Sequence, residues 1–266
     1  MRRSDRFETE PVAAPPWEAR RRRANELRGR WPHAAEMLRL YAALLDVHEP
    51  AARAARADRP APDGLAEYVA TRVMPAIVAA TVAAGPPALA RAVRDDLGPA
   101  AAAVAAWLDS APQPPVEEYL ARAASAPVLE SLGAVAALPR PRRERGCPRC
   151  GGAPQLSYLA ESGETLLTAP RQLLCCRCGS AWVHDRLTCP SCGERSSAKR
   201  PIFSDEKRLL ALSVDACETC RRYLITVDGR QDGAAVPIVD ELVALPLDLY
   251  ARERGFTKIA PNLMGT

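Results

Sequence analysis

Eight of the nine cysteines stand in four C-x2-C pairs, Cys147/Cys150, Cys175/Cys178, Cys189/Cys192 and Cys217/Cys220, and none lies in the first 146 residues. Twenty-four residues separate the first pair from the second, and 24 again separate the third from the fourth, so the whole unit recurs at an offset of 42. A repeat this regular points to a duplicated module with one four-sulfur site per copy.

Two cysteines three positions apart on a tight turn aim both sulfurs at a common point, and two such turns close a tetrahedron around an ion about 2.3 Å from each sulfur. Gly151, Gly179 and Gly193 follow the second cysteine of three turns, where a positive φ lets backbone N–H groups face the thiolates. The fourth turn carries Arg221 there. Pro148 and Pro190 follow the first cysteine of the leading turns, giving the Cys-Pro-x-Cys-Gly knuckle of rubredoxins and zinc ribbons. The repeat favours tandem sites over a cross-braced arrangement. It assigns Cys147, Cys150, Cys175 and Cys178 to one metal ion and Cys189, Cys192, Cys217 and Cys220 to a second, with iron and zinc both suited to four sulfurs. Cys176 is left over as a small spare thiol. Disulfides and a thioredoxin-like dithiol fit less well, because redox chemistry of that kind needs one pair on a βαβ scaffold.

The first 146 residues have a different texture. Residues 1–16 carry Pro and charge without periodicity and read as a loose arm. Apolar positions at helical spacing then predict an all-helical domain over 17–137. Trp17 to His48 divides into two helices at Pro32, a stretch from Leu65 kinks at Pro75, and further helices fit Pro87 to Leu97, Pro99 to Leu108, Val116 to Ala123 and Pro127 to Ala136. A proline and arginine linker occupies 138–146. The two cysteine modules follow at 147–187 and 188–235. Their β-like runs, Gln155 to Leu159, Arg171 to Leu174, Ala181 to Leu187, Leu209 to Asp215 and Tyr223 to Val227, read as too short for a sheet with its own apolar core, leaving metal to supply the stability. Residues 236–266 hold a helix from Pro237 to Arg254, with Ile238, Leu242, Leu245 and Leu249 as its apolar face, and a tail. The expected fold class is multidomain: helical, then small metal-stapled β modules of rubredoxin or zinc-ribbon type, then a C-terminal helix.

No run of about 18 apolar residues exists, which argues against a membrane span or membrane partner. Arg2 and Arg3 precede no apolar segment or cleavage site, so a cytoplasmic, reducing location is expected, where paired cysteines are mostly metal ligands. Between Pro141 and Arg230 there are 15 Lys or Arg against 10 Asp or Glu; two divalent tetrathiolate sites reduce that excess to about one. With no arginine stripe and only three Phe in the chain, nucleic acid is a poor partner. No phosphate loop, metalloprotease helix or nucleophile motif suggests an enzyme. His33 and His48 read as ordinary polar or core positions. Trp182, His184 and Arg186 share one face of a short strand after the second knuckle and are candidate partner-facing residues.

Gly-Cys147-Pro-Arg-Cys150-Gly-Gly, Leu-Cys175-Cys-Arg-Cys178-Gly-Ser-Ala-Trp182-Val-His184-Asp-Arg186-Leu-Thr-Cys189-Pro-Ser-Cys192-Gly and Ala-Cys217-Glu-Thr-Cys220-Arg-Arg-Tyr-Leu together resemble the formate dehydrogenase accessory protein family FdhE. Asp240-Glu-Leu-Val-Ala-Leu-Pro-Leu-Asp248-Leu and Pro261-Asn-Leu-Met-Gly are similar to it too. The likeness is specific from Gly146 onward and general before it; Cys176 and Pro246 depart from the pattern. It implies a cytoplasmic maturation factor that binds the immature catalytic subunit of formate dehydrogenase, with the eight paired cysteines holding iron in rubredoxin-like sites. A homodimer through the helical domain is left open. The competing readings are a rubredoxin-like one-electron carrier and a nucleic-acid-binding zinc ribbon.

Overall fold

The computed structural model describes residues 16–95, 98–132, 145–160 and 170–266. The expected arm and linker lie outside them, apart from Pro16, Arg145 and Gly146. Among the described residues seven helices come first: α1 (Trp17–Arg30), α2 (Ala35–Asp58), α3 (Leu65–Arg72), α4 (Met74–Ala84), α5 (Pro87–Asp95), α6 (Ala100–Asp109) and α7 (Pro115–Leu132). The kink expected at Pro75 is a 41° bend between the α3 and α4 segments.

Two helices outrun the sequence expectation. α2 continues past His48, through Pro50, to Asp58. α7 joins the two stretches expected on either side of Pro127 into one helix. Proline cannot supply the N–H that would bond the carbonyl four residues earlier, here that of Ala123. The His48 ring of α2, given no role by the sequence, sits close to that carbonyl.

Six strands follow, β1 (Pro154–Leu159), β2 (Arg171–Cys175), β3 (Ala181–His184), β4 (Ile202–Ser204), β5 (Leu212–Cys217) and β6 (Arg222–Asp228), and β7 (Thr257–Lys258) ends the set. These strands do build a sheet, contrary to the expectation from their lengths. The order is β3-β2-β1-β6-β5-β4, with β7 also paired to β6. Parallel pairing of β1 with β6, Leu156 opposite Ile225, fuses the two halves. The β2–β3 and β5–β6 hairpins share their register under the offset of 42: Arg171 faces His184 as Ser213 faces Thr226.

One sheet face supplies the missing core. Leu212, Val214, Ala216, Tyr223, Ile225 and Val227 alternate onto it and pack with Leu27, Leu38, Tyr41 and Leu45 from α1 and α2. The C-terminal segment closes the same core. It is one helix in neither length nor face: α8 (Pro237–Asp240) passes through a 3-10 turn, Glu241–Ala244, into α9 (Leu245–Glu253). The tighter turn and Pro246 near the start of α9 rotate the face, so Leu247 and Ala251 are buried while Leu249 is 49% exposed.

Buried charges stitch these layers. Arg23 of α1 bonds both carboxylate oxygens of Asp240 from Nε at 3.1 Å. Lys258 Nζ lies 2.7 Å from Glu241 and 3.1 Å from Asp248, and the Tyr223 hydroxyl donates to Asp248 at 2.8 Å. Arg122 of α7 donates to the Pro261 and Asn262 carbonyls at 2.6 and 2.9 Å and to Gln155 at 2.5 Å. His33 meets the Val243 carbonyl at 3.0 Å.

Burial, with a smaller push from Arg20, lowers His48 from 6.5 to about 3. An unfolded chain therefore takes up a proton at this residue below pH 6.5 that the fold refuses. Its contribution is complete above that pH and declines as pH falls towards 3, by up to about 1.4 kcal/mol per unit. His48→Gln should flatten the acid limb of a plot of unfolding midpoint against pH; an unchanged slope contradicts this origin.

Candidate metal centres

Each knuckle is fixed by its own backbone before any metal is considered. In the first three, the amides of Gly151, Gly179 and Gly193 donate to the carbonyls of Cys147, Cys175 and Cys189 at 2.8, 3.2 and 2.9 Å. The amide of each leading cysteine donates in return to Gly152, Ser180 or Glu194 at 2.8 to 2.9 Å. The residue after the second cysteine takes φ between 64° and 80° in all three. Arg221 adopts the same left-handed backbone, φ 55°, at the fourth. Its guanidinium stacks 4.0 Å from the Phe256 ring centroid and bonds the Arg254 carbonyl, so packing holds a conformation that glycine takes freely.

The turns gather the sulfurs into two groups, Cys147, Cys150, Cys175 and Cys178, and Cys189, Cys192, Cys217 and Cys220, each with all sulfurs within 4.8 Å of one another. First pair therefore meets second, and third meets fourth, with no cross-bracing. In the first group Cys147 and Cys178 lie 3.7 Å apart and Cys150 and Cys175 3.4 Å. In the second, Cys189 and Cys220 lie 3.9 Å apart and Cys192 and Cys217 3.7 Å. A tetrahedron with metal–sulfur bonds of about 2.3 Å has edges of about 3.8 Å. A disulfide needs about 2.05 Å, and all nine cysteines are free. The donor set and spacing fit one tetrahedral ion per group.

The electrostatics agree. Without a cation the first four thiols compete for charge: Cys178 is pulled far down by Cys147 and its other neighbours, while Cys175 is pushed up by Cys147 and Cys150. A divalent ion removes that competition, because each coordinated thiol is deprotonated. The Arg177 amide faces Cys175 Sγ at 3.4 Å, and Ser180 Oγ lies 3.1 Å from Cys178 Sγ. These contacts orient the sulfurs.

The sites differ in their surroundings. All four sulfur residues of the first are at most 3% exposed and belong to the core formed by α2 to α7. Arg177 clamps this site from outside, donating to the Cys150 carbonyl at 3.3 Å and to Ser110 after α6. In the second, Cys189 and Cys217 are buried but Cys192 and Cys220 are half-exposed. A Thr219–Glu194 bond of 2.6 Å links its two knuckles.

Of the candidate partner-facing residues, Trp182 packs partly against the helical core. His184 is half-buried, its Nε2 3.4 Å from Thr188 Oγ1, and the Arg186 carbonyl accepts from Arg200 at 3.0 Å. Burial first, then Arg171, lowers the His184 pKa. Sequence reasoning passed over Gly152 and Arg177. A Cβ at Gly152 would stand 2.7 Å from Cys175 Sγ and 3.3 Å from Cys150 Sγ. The Gly-Gly doublet after Cys150 was the available signal.

Two measurements follow. Gly152→Ala should cost one of the two metal equivalents by elemental analysis while leaving the second site filled, and retention of both contradicts the packing argument. A chelator should strip the half-exposed second site first, giving two kinetic phases of which Cys192→Ser abolishes the faster; a single phase for the intact chain contradicts it.

The family description FdhE, C-terminal domain, matches residues 187–264. A protein named Protein FdhE homolog from Aquifex aeolicus (strain VF5) is 32% identical over 119 residues, 45% of this chain and 41% of that protein. Another from Stutzerimonas stutzeri (strain A1501) is 31% identical over 120 residues, 44% of this chain and 37% of that protein. The matched stretch thus spans about two fifths of the length of these curated relatives. The crystal structure of the FdhE protein from Pseudomonas aeruginosa shares the fold, with a TM-score of 0.69 at 22% identity, over 97% of this chain and 99% of that one. Residues 187–264 are thus similar to the FdhE C-terminal domain, and the whole architecture has the fold of the solved FdhE protein.

Proposed function

We propose that this chain is a non-catalytic accessory factor for formate dehydrogenase, acting in the cytoplasm on the immature catalytic subunit and assisting its assembly or activation through the two four-cysteine sites. Cys147, Cys150, Cys175 and Cys178 hold one ion, and Cys189, Cys192, Cys217 and Cys220 hold the other. Iron is the metal that the FdhE resemblance implies. The observation that carries the reading is the pair of tetrahedral sulfur sites, one enclosed and one at the surface, in a chain whose residues 187–264 match the FdhE C-terminal domain. The enclosed site locks the sheet to the helices. The half-exposed Cys192 and Cys220 of the surface site support contact with a client protein there. No single helix among the described residues is long and apolar enough to cross a membrane.

A strain lacking this chain should lose formate dehydrogenase activity and recover it with the wild-type chain, but not with Cys192→Ser/Cys220→Ser. The catalytic subunit should co-purify with the wild type. Normal activity and cofactor loading in the deletion strain would end this reading. A one-electron carrier is the second reading, favoured by the half-exposed Cys192 and Cys220 of the second site. It requires a coloured protein that bleaches reversibly on reduction, and colourless zinc protein excludes it.

A further inference from the structure

Three arginines gather beside the second metal site, each brought there by a different segment. Arg186 stands three residues before Cys189. Arg200 lies across from Cys217, because the carbonyls on either side of it, Lys199 and Pro201, accept from the Glu218 and Ala216 amides at 2.9 and 3.0 Å. Its Nη1 donates to the Arg186 carbonyl at 3.0 Å. Arg171 of β2 pairs with His184, whose ring lies 3.4 Å from Thr188, the residue before Cys189. From Nη2 it donates at 2.7 Å to Asp215 of β5, two residues before Cys217.

Each guanidinium has at least one nitrogen buried without a hydrogen-bond partner among the described residues: Arg171 Nε, Arg186 Nε and Nη2, and Arg200 Nε. One carboxylate, that of Asp215, is bonded to the group. The neighbouring carboxylates are committed elsewhere. Asp228 is held by Arg230 through both oxygens, at 2.7 and 2.6 Å, and Glu194 takes the Thr219 hydroxyl and the amides of Arg195 and Ser196. Arg145 also lies against this site, at Gly193, but it is exposed and its charge is screened by water. Burial lowers the Arg171 pKa; Asp215 and Cys189 oppose this, while Arg200 and Arg186 add to it.

Three positive charges against one bonded carboxylate leave two without an answer. Buried charges are kept in native proteins when something nearby compensates them. Four thiolates around a divalent ion carry two negative charges, and around a trivalent ion only one. We propose that Arg171, Arg186 and Arg200 are the counter-charges of the second four-cysteine site and make it selective for a divalent over a trivalent ion. The inference rests on the reading of Cys189, Cys192, Cys217 and Cys220 as ligands of one ion. No contact with the sulfurs is required, because charge acts through the poorly solvated space between them. An ion that changes from divalent to trivalent here leaves one positive charge unbalanced, so the lower charge state is held.

The test uses the full chain with both sites loaded, in one preparation with zinc and in another with iron. Arg186→Gln and Arg200→Gln each remove one charge. Either should weaken zinc at one of the two sites about tenfold in a chelator competition, the effect of one nearby charge at an effective dielectric of about 20. In the iron-loaded chain the same variants should lower one of two reduction potentials, shifting the ferrous-to-ferric ratio about tenfold, or about 59 mV for a one-electron couple. Arg186→Lys and Arg200→Lys should keep both values near those of the wild type. A merely structural role loosens ferrous and ferric iron alike and leaves the potential where it was. If the iron couple is irreversible, the ratio of zinc to gallium(III) affinity gives the same comparison and should fall in the glutamine variants. An unmoved or raised potential, an unchanged zinc-to-gallium ratio, or lysine variants as impaired as the glutamine ones overturns the proposal. A wild-type chain that takes up a single ion overturns it too, and in that case the metal reading of the second four cysteines fails first.

Discussion

Four cysteine sulfurs cannot share a space 4.8 Å across as thiolates unless a cation sits among them. This constraint governs the fold from β1 onward. Each knuckle is a backbone turn closed by its own hydrogen bonds, yet the turns meet only where the strands β2 and β5 deliver Cys175 and Cys217. In the first site the constraint reaches into the helices, because its sulfurs are part of the core that α2 to α7 share. An ion there is attached to the whole molecule and not to a peripheral loop.

The sulfur pairing was legible because it is written in spacing, and spacing survives folding. The left-handed residue after each knuckle was legible at three glycines and hidden at the fourth, where Arg221 is held by Phe256 and the Arg254 carbonyl. Other features had no local signal. The joint between Leu156 and Ile225 pairs strands far apart in sequence, so five short runs gave no hint of one sheet. α7 runs through Pro127 with a histidine from another helix beside the freed carbonyl, a juxtaposition that no periodicity can reveal. Leu249 faced outward because a few residues of tighter helix changed the phase. The buried partners of Arg23, Lys258 and Arg122 were likewise invisible, since each pair or fork joins different elements, from 17 residues apart for Lys258 and Glu241 to opposite ends of the chain for Arg23 and Asp240.

Those buried charges also explain why the helical and metal-bearing parts are read more usefully together than apart. Removing one member of a buried pair leaves its partner uncompensated, which costs about 3–5 kcal/mol. Arg23 with Asp240, and Lys258 with Glu241 and Asp248, therefore fix where the C-terminal segment lies more than they add to net stability. The apolar sheet face supplies the general attraction, and the charges select one docking geometry from those it allows.

The strand order carries a consequence of its own. β1, β2 and β3 are followed in sequence and in space by β4, β5 and β6, joined where the first strand of one unit runs beside the last strand of the next. Two units related by translation cannot close on themselves as units related by a twofold axis do. The sheet consequently ends in two unlike edges, β3 and β4, of the kinds that the internal joint already brings together. Such a polar stack can in principle be extended head to tail without limit. Here both rims are only three or four residues long, which is one way natural sheets blunt an open end.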